Sequence, residues 1–545
     1  MKPVWKWVIG VALCLIVMVL IANWYVTHTL KPRMEAELKA RVIAGTDGRY
    51  RLVYDQLEVS LFSGTAVATN VRLIPDTSAI RRSQSASTAT YRVRIGRLQV
   101  KGVSMLPLLI SKRLRINTVA LDTPSIHVSL DGRADTIAGD TTSGSFLERL
   151  ASTLSDIRVK RFVLRAGAFE LTHAQDASHL QVEHINMTAR DIRIDSASLR
   201  DTLLLYGAKD LDVEMESLDY IRPDSLYQLH TGPLHFQTAT QELTLHSLRY
   251  GLTVSKAAFY RQVQLAKDIS DIAISRISLI GIDVPRWVRD ETIAAGALRI
   301  DSGSIGIYKD KTQPNPPENK IGKSPHQRLM QLEQSLHIDS VLVNALDISF
   351  TEVSDQTGKA GTVTFEATHG VIQHVTNDSL ALARDRFMRL RARSRVMGAC
   401  DLNVNFRFDL LDSLGAHTYE GKLGPVSGAV FNRMLTPQLN VEVKSGNIRG
   451  LRFAMEANDR RTTGTLQLDY DNLKVNMLRE DNDGGTSTKP VLSFFANRFL
   501  LNDSNPDANG VHHTGQVYIE RPHSFSFFKM IWRSIREGTK VCIGM

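Results

Sequence analysis

Apolar and polar residues alternate one by one in short runs along almost the whole chain, and this restricts it to a fold built from one-sided strands. Leu57, Val59 and Leu61 alternate with Glu58 and Ser60, and the same period of two returns at 91–95, 211–215, 272–275, 402–408 and 439–443. A period of two sends successive side chains to opposite faces, so each run buries one face and wets the other. Strands of a parallel sheet covered on both sides read as unbroken apolar runs, so the alternation predicts antiparallel strands. Helical patterning competes at three places only: 145–155, 327–334 and 525–536.

A looser repeat overlies the alternation. Residues 114–121 are followed by a second strand at 125–130, 157–164 by one at 168–171, and 336–343 by one at 346–350. Units of this kind bury their faces by stacking on neighbours. Their uneven spacing argues against a solenoid of fixed period. Polar stretches at 131–145, 311–325 (with Pro314, Pro316, Pro317 and Pro325) and 480–490 interrupt the series. Alternation resumes after each, so they read as loop excursions on one continuous sheet system.

Residues 7–27 carry no formal charge. At about 1.5 Å per residue this run spans roughly 30 Å, the thickness of a bilayer's hydrocarbon core. Trp5 and Trp7 at one end and Trp24 and Tyr25 at the other stand where aromatic belts form. A buried core helix would show a polar stripe, and Leu20 and Trp24 spoil the small-residue site that signal cleavage needs. Cys14 follows Leu13 in mid-run, which does not suit a lipoprotein. An uncleaved anchor over 7–28 is the expectation. Lys2 and Lys6 precede it and Lys31, Arg33, Lys39 and Arg41 follow it, so charge bias decides its orientation weakly.

The net charge of +9 is spread over 545 residues without a concentrated basic patch, which argues against nucleic acid as a partner. The three cysteines, Cys14, Cys400 and Cys542, form no CxxC pair, so zinc-site spacing is absent and no disulfide framework is needed. Gly322-Lys323-Ser324 resembles the end of a phosphate loop, but Pro317 stands where its first glycine belongs. Ser304 lacks the leading glycine of a nucleophile elbow, and His512 and His513, adjacent on a strand, would face opposite ways. The expectation is a protein that is not an enzyme and holds no metal or cofactor.

The anchor, the segment 57–73 (a strand, the glycine turn at Gly64, then Asn70-Val71-Arg72-Leu73) and the late pair 445–453 and 463–475 with its Tyr470-Asp471-Asn472-Leu473-Lys474 element resemble the AsmA-like family. That superfamily of bacterial envelope proteins includes TamB-type and bridge-like lipid-transfer members. The tail from Asn505-Pro506 through Trp532 to Gly538 is similar to a Bacteroidetes-type branch. The resemblance implies a mainly β fold: an N-terminal transmembrane helix, then an elongated, curved antiparallel repeated-strand sheet with an apolar groove and few helices. It also implies a bacterial inner-membrane location, single-pass, with the large domain in the periplasm.

The division expected is 1–6 a cytoplasmic tail, 7–28 the anchor, 29–480 the repeated β domain, and 481–545 C-terminal strands with a capping or interfacial helix. The groove would be lined by Val59, Leu61, Val93, Ile95, Ile338, Val341, Phe406 and Phe408, for which ordinary core packing is the rival reading. Its expected partners are membrane lipids of phospholipid or lipopolysaccharide type, with envelope assembly proteins as a second class. The functional expectation is lipid handling or outer-membrane homeostasis. The alternative is a non-enzymatic structural or interaction scaffold for envelope assembly.

Overall fold

The computed structural model describes residues 40, 42–44, 46, 48–60, 63–82, 89–104, 113–130, 156–173, 176, 178–195, 210–480, 486–489 and 502–544. The expected helices at 7–28 and 145–155 lie outside these residues. The described chain is mainly β and divides into two compact units: Met1–Ser247 with Val288–Asp290, and Leu248–Trp287 with Glu291–Met545.

Unit 1 contains β1 (Tyr50–Val53), β2 (Gln56–Ser60), β3 (Thr65–Pro75), β4 (Ala89–Lys101), β5 (Arg113–Leu130), β6 (Asp156–His173) and β7 (His179–Asp195). It continues through β8 (Asp210–Met215), β9 (Ser217–Ile221), β10 (Tyr227–Thr231), β11 (Leu234–Gln237) and the first part of β12 (Glu242–Leu252). Both β1 and β2 pair with β3, after which β4 to β7 follow in order. β8 and β9 act as one interrupted strand beside β7; β11 and β10 form the next, and β12 pairs with β11.

Unit 2 contains β13 (Ile269–Ile282), β14 (Ile293–Asp310), β15 (Leu336–Val353), β16 (Ala360–Thr376), β17 (Phe387–Val396) and β18 (Cys400–Asp409). After them come β19 (His417–Leu423), β20 (Val426–Ser427), β21 (Val441–Ala457), β22 (Arg461–Glu480), β23 (Thr486–Lys489) and β24 (Thr514–Glu520). β13 to β19 pair in sequence, β21 joins β19, β22 joins β21, and β24 joins β22. Helices among the described residues include α1 (Thr77–Arg82), α2 (Lys256–Val263), α3 (Val284–Asp290), α4 (Pro325–Met330), α5 (Ser379–Arg384), α6 (Asn432–Leu439) and the longer α7 (Phe527–Cys542). The expected helix at 327–334 is α4, and that at 525–536 is α7, which begins at its Ser526 cap and runs further.

Two joints correct the expectation of antiparallel pairing throughout. β5 runs parallel to β6, and β14 parallel to β15. A parallel joint needs a crossover of a dozen residues or more. The connections 131–155 and 311–335 are long enough to supply it, so they are crossovers rather than excursions.

Those two joints also reveal a regularity. An offset of 180 residues carries Arg113–Leu130 onto Ile293–Asp310 and Asp156–His173 onto Leu336–Val353. The register is carried over as well: Arg113 partners Asp156 and Ile293 partners Leu336. Each parallel pair is flanked by antiparallel strands, and each leads into a meander. Left-handed residues interrupt the long strands in both units, at Thr123, Ala166 and His184 (φ 49°, 48° and 50°) and again at Ser302, Ala345 and Ala367 (φ 42°, 49° and 46°). Register shifts accompany them around Gly167 and Leu346. A β-branched or alanine side chain at positive φ is uncommon and costs about 1–2 kcal/mol, so these kinks are held by pairing on both sides.

Candidate apolar surface

Alternation in β17, β18 and β19 sorts side chains cleanly. Arg391, Arg393 and Arg395, Asn403, Asn405 and Arg407, and Glu420 and Lys422 are exposed on one face. Apolar residues occupy the other, and cross-strand pairing assembles them into rows. One row passes from Leu279 through Leu298, Val341, Ile372 and Leu390 to Phe406, one residue per strand from β13 to β18. It continues into Tyr419 and Met455. A parallel row, two residues along, joins Ile277, Ile300 and Val343 to Gly370, Ala392 and Val404.

Helices cover parts of this face. Leu329 and Met330 of α4, Leu382 of α5, and Phe527 and Ile531 of α7 pack with Met388, Phe408 and Leu410. Val430 and Phe431, in the turn leading into α6, pack against the cluster containing Val396, Cys400 and Leu423. Beneath α7 the face is sealed: Tyr419 is 1% exposed, and its hydroxyl meets Ser534 Oγ of the helix at 2.7 Å. Burial pushes the Tyr419 hydroxyl up to about 12. Toward β13 and β14 the burial is less complete, and Leu279, Leu298, Ile300 and Val343 are half-buried.

Unit 1 has the same construction with a different burial profile. A row from Leu57 through Leu98, Leu121 and Leu164 reaches Met187 and then Phe236 by cross-strand partners. Its members from β2 to β7 are buried, whereas Phe236 is half-buried.

The residues chosen from sequence fall on both units. Val93 and Ile95 are buried in the unit 1 core, with Val59 half-buried against it. Ile338, Val341 and Phe408 are buried in unit 2 and Phe406 is half-buried. The structure brings Phe406 and Phe408 together as stacked rings 5.7 Å apart, and places Val341 and Phe406 in one row. Leu61 lies outside the described residues. Leu279, Leu298, Ile300 and Val343 were missed because their strands do not alternate strictly: mid-strand kinks exchange the faces.

Sequence reasoning also missed a buried polar knot. Arg521 Nη1 donates to Asp459 Oδ1 at 2.7 Å, while Asp459 Oδ2 accepts from Gln327 Nε2 at 2.6 Å and from the Gly322 amide at 3.1 Å. These bonds tie the 311–335 crossover to the turn between β21 and β22. Two buried histidines lie alongside, His326 and His417, with ring centroids 5.4 Å apart. Desolvation holds both below the ordinary range, His417 at about 4. The adjoining cavity measures about 10 Å³, about one water's probe sphere at most, so no substrate fits there.

A larger cavity of about 520 Å³ lies beside β24, between Gln516–Glu520 and the α7 residues Arg533, Glu537, Lys540 and Val541. Among the described residues, Asp212, Glu214 and His235 are close enough to share a metal ion. His235 Nε2 already meets Asp212 Oδ1 at 3.1 Å, and this exposed hydrogen-bonded contact accounts for the group. No protein-family model matches the chain, and no curated protein matches it.

Proposed function

We propose that the chain is a membrane-anchored lipid-handling protein of a bacterial envelope, and that it lays acyl chains along the half-buried apolar face of unit 2. The observation that carries this reading is the row from Leu279 to Phe406, apolar at every strand and half-buried at its β13–β14 end. Six strands make five steps of about 4.8 Å, so the row is roughly 24 Å long. That exceeds the depth of one leaflet's hydrocarbon, about half of 30 Å. Each methylene removed from water contributes about 0.8 kcal/mol, so a dozen supply about 10 kcal/mol before the cost of ordering the chain. No polar constellation is needed for such a site, which suits a protein of lipid transport or outer-membrane homeostasis. The uncharged run at 7–28 would hold it in the inner membrane, with the β units in the periplasm.

One observation favours a second reading. The unit 1 row is closed from β2 to β7, as in a packed structural core, and that suits a non-enzymatic scaffold for envelope assembly.

Native mass spectrometry of the full chain, released from mild detergent in the gas phase, tests the proposal. Stoichiometric phospholipid or lipopolysaccharide-type lipid on the wild type, lost in a folded Leu298→Asp/Val343→Asp variant, supports it. A lipid-free wild type overturns it and leaves the scaffold.

A further inference from the structure

Helix α7 presents three separate strips. Its buried strip is Phe527, Met530, Ser534, Gly538 and Cys542, spaced by three or four residues as one face of an α-helix requires. This face lies on β22 and β24: a Cβ on Gly515 would stand 2.3 Å from the Gly538 carbonyl oxygen, and one on Gly538 would stand 2.7 Å from Leu466 Cβ. At 3.6 residues per turn, Phe528 and Trp532 fall on a second strip turned away from the sheet. They are 71% and 44% exposed. Lys529, Arg536 and Lys540 fall beside that strip, and Arg533 flanks them at the cavity next to β24. Over its length the helix carries four cations and one carboxylate, Glu537.

The inner strip is fully accounted for by packing on the sheet. Nothing in that packing requires two large aromatic residues on the outside, four positions apart. Aromatic rings beside a row of Lys and Arg are the features by which a helix lies in the interfacial zone of an anionic bilayer, rings among the acyl carbons and cations among the phosphates. We propose that the outward face of α7 is a membrane-seating surface for anionic phospholipid, separate from the N-terminal run and from the apolar rows of the sheet. It would give the C-terminal end of unit 2 its own bilayer contact. The proposal does not depend on lipid binding along the sheet, since the residues concerned are different ones.

The test is co-flotation. The full chain is held in phosphatidylcholine nanodiscs and floated with vesicles of phosphatidylcholine, with or without phosphatidylglycerol. Wild type is expected to recover with the anionic vesicles about tenfold better or more, an advantage that fades as salt is raised. Phe528→Ser/Trp532→Ser should abolish recovery while keeping the wild-type melting profile, because both rings are exposed. Arg536→Gln/Lys540→Gln, whose half-buried side chains pair with Glu537, should weaken recovery in a protein that still folds. Leu380→Ser, at an exposed leucine on α5, should change nothing. Equal recovery with both kinds of vesicle, or full recovery of a folded Phe528→Ser/Trp532→Ser variant, overturns the proposal.

Discussion

Arg521 and Asp459 form an ion pair inside unit 2, with the two side chains 2% and 5% exposed. Sixty-two residues separate them in sequence, and the pair is completed by bonds from Gln327 and Gly322 and by Arg521 donating to the Phe525 and Lys320 carbonyls. It therefore fastens the crossover, the β21–β22 turn and the approach to α7 at one point. Replacing Asp459 by Ala strands a buried guanidinium, and a loss of about 3–5 kcal/mol is expected. Limited proteolysis should then cut at Lys320 and Lys323 well before unit 2 unfolds. Unchanged proteolysis and an unchanged melting temperature would show that the pair holds nothing together.

Gly515 and Gly538 predict a second sensitivity. Because a Cβ at either position meets backbone or a packed side chain at under 3 Å, Gly515→Val should lift α7 from the sheet at a cost of about 1–3 kcal/mol. Cys542 reports this directly: it is 0% exposed in the helix's buried strip, and burial raises its thiol pKa. Its reaction with a thiol reagent should be slow in wild type and fast in the variant. Equal rates would contradict the close packing of α7.

Stability should also fall in mild acid. His417 binds a proton near pH 6.5 when unfolded but only at about 4 when folded, because burial among Phe408, Tyr419 and Phe527 desolvates it. Between those values the unfolded state binds more protons, so the contribution is intact above pH 6.5 and is lost as pH drops toward 4, in total roughly 3 kcal/mol. His326 shifts in the same direction. Melting curves from pH 7.5 downward check this, and His417→Phe should flatten the profile. A wild-type profile already flat across this range would show that neither histidine is held neutral.

The fold was legible in sequence wherever the strands alternate strictly. β18 could be read directly, since Leu402, Val404, Phe406 and Phe408 lie inward against Asn403, Asn405 and Arg407. α7 could be read from its aromatic and basic spacing. The parallel joints could not, because β5 and β14 alternate in the same way whichever direction a neighbour runs. The 180-residue offset stayed hidden because it is carried by strand lengths and register, not by matching side chains. Kinks at Thr123, Ala166 and Ala345 use residues that signal no turn, and each moves the apolar phase to the other face. The Arg521–Asp459 knot depends on three distant loops meeting, which no local pattern records.

The central claim is that acyl chains lie on one face of the β13–β18 strands. Site-specific photo-crosslinking in cells tests it most directly, with a photoreactive residue placed in turn at Leu298, Arg299 and Ile300 of β14 and at Val343 and Asn344 of β15. Arg299 and Asn344 are exposed on the opposite phase from half-buried Leu298, Ile300 and Val343. The account predicts lipid adducts at Leu298, Ile300 and Val343 and none at Arg299 or Asn344. Adducts at every position alike, or at none, would contradict it.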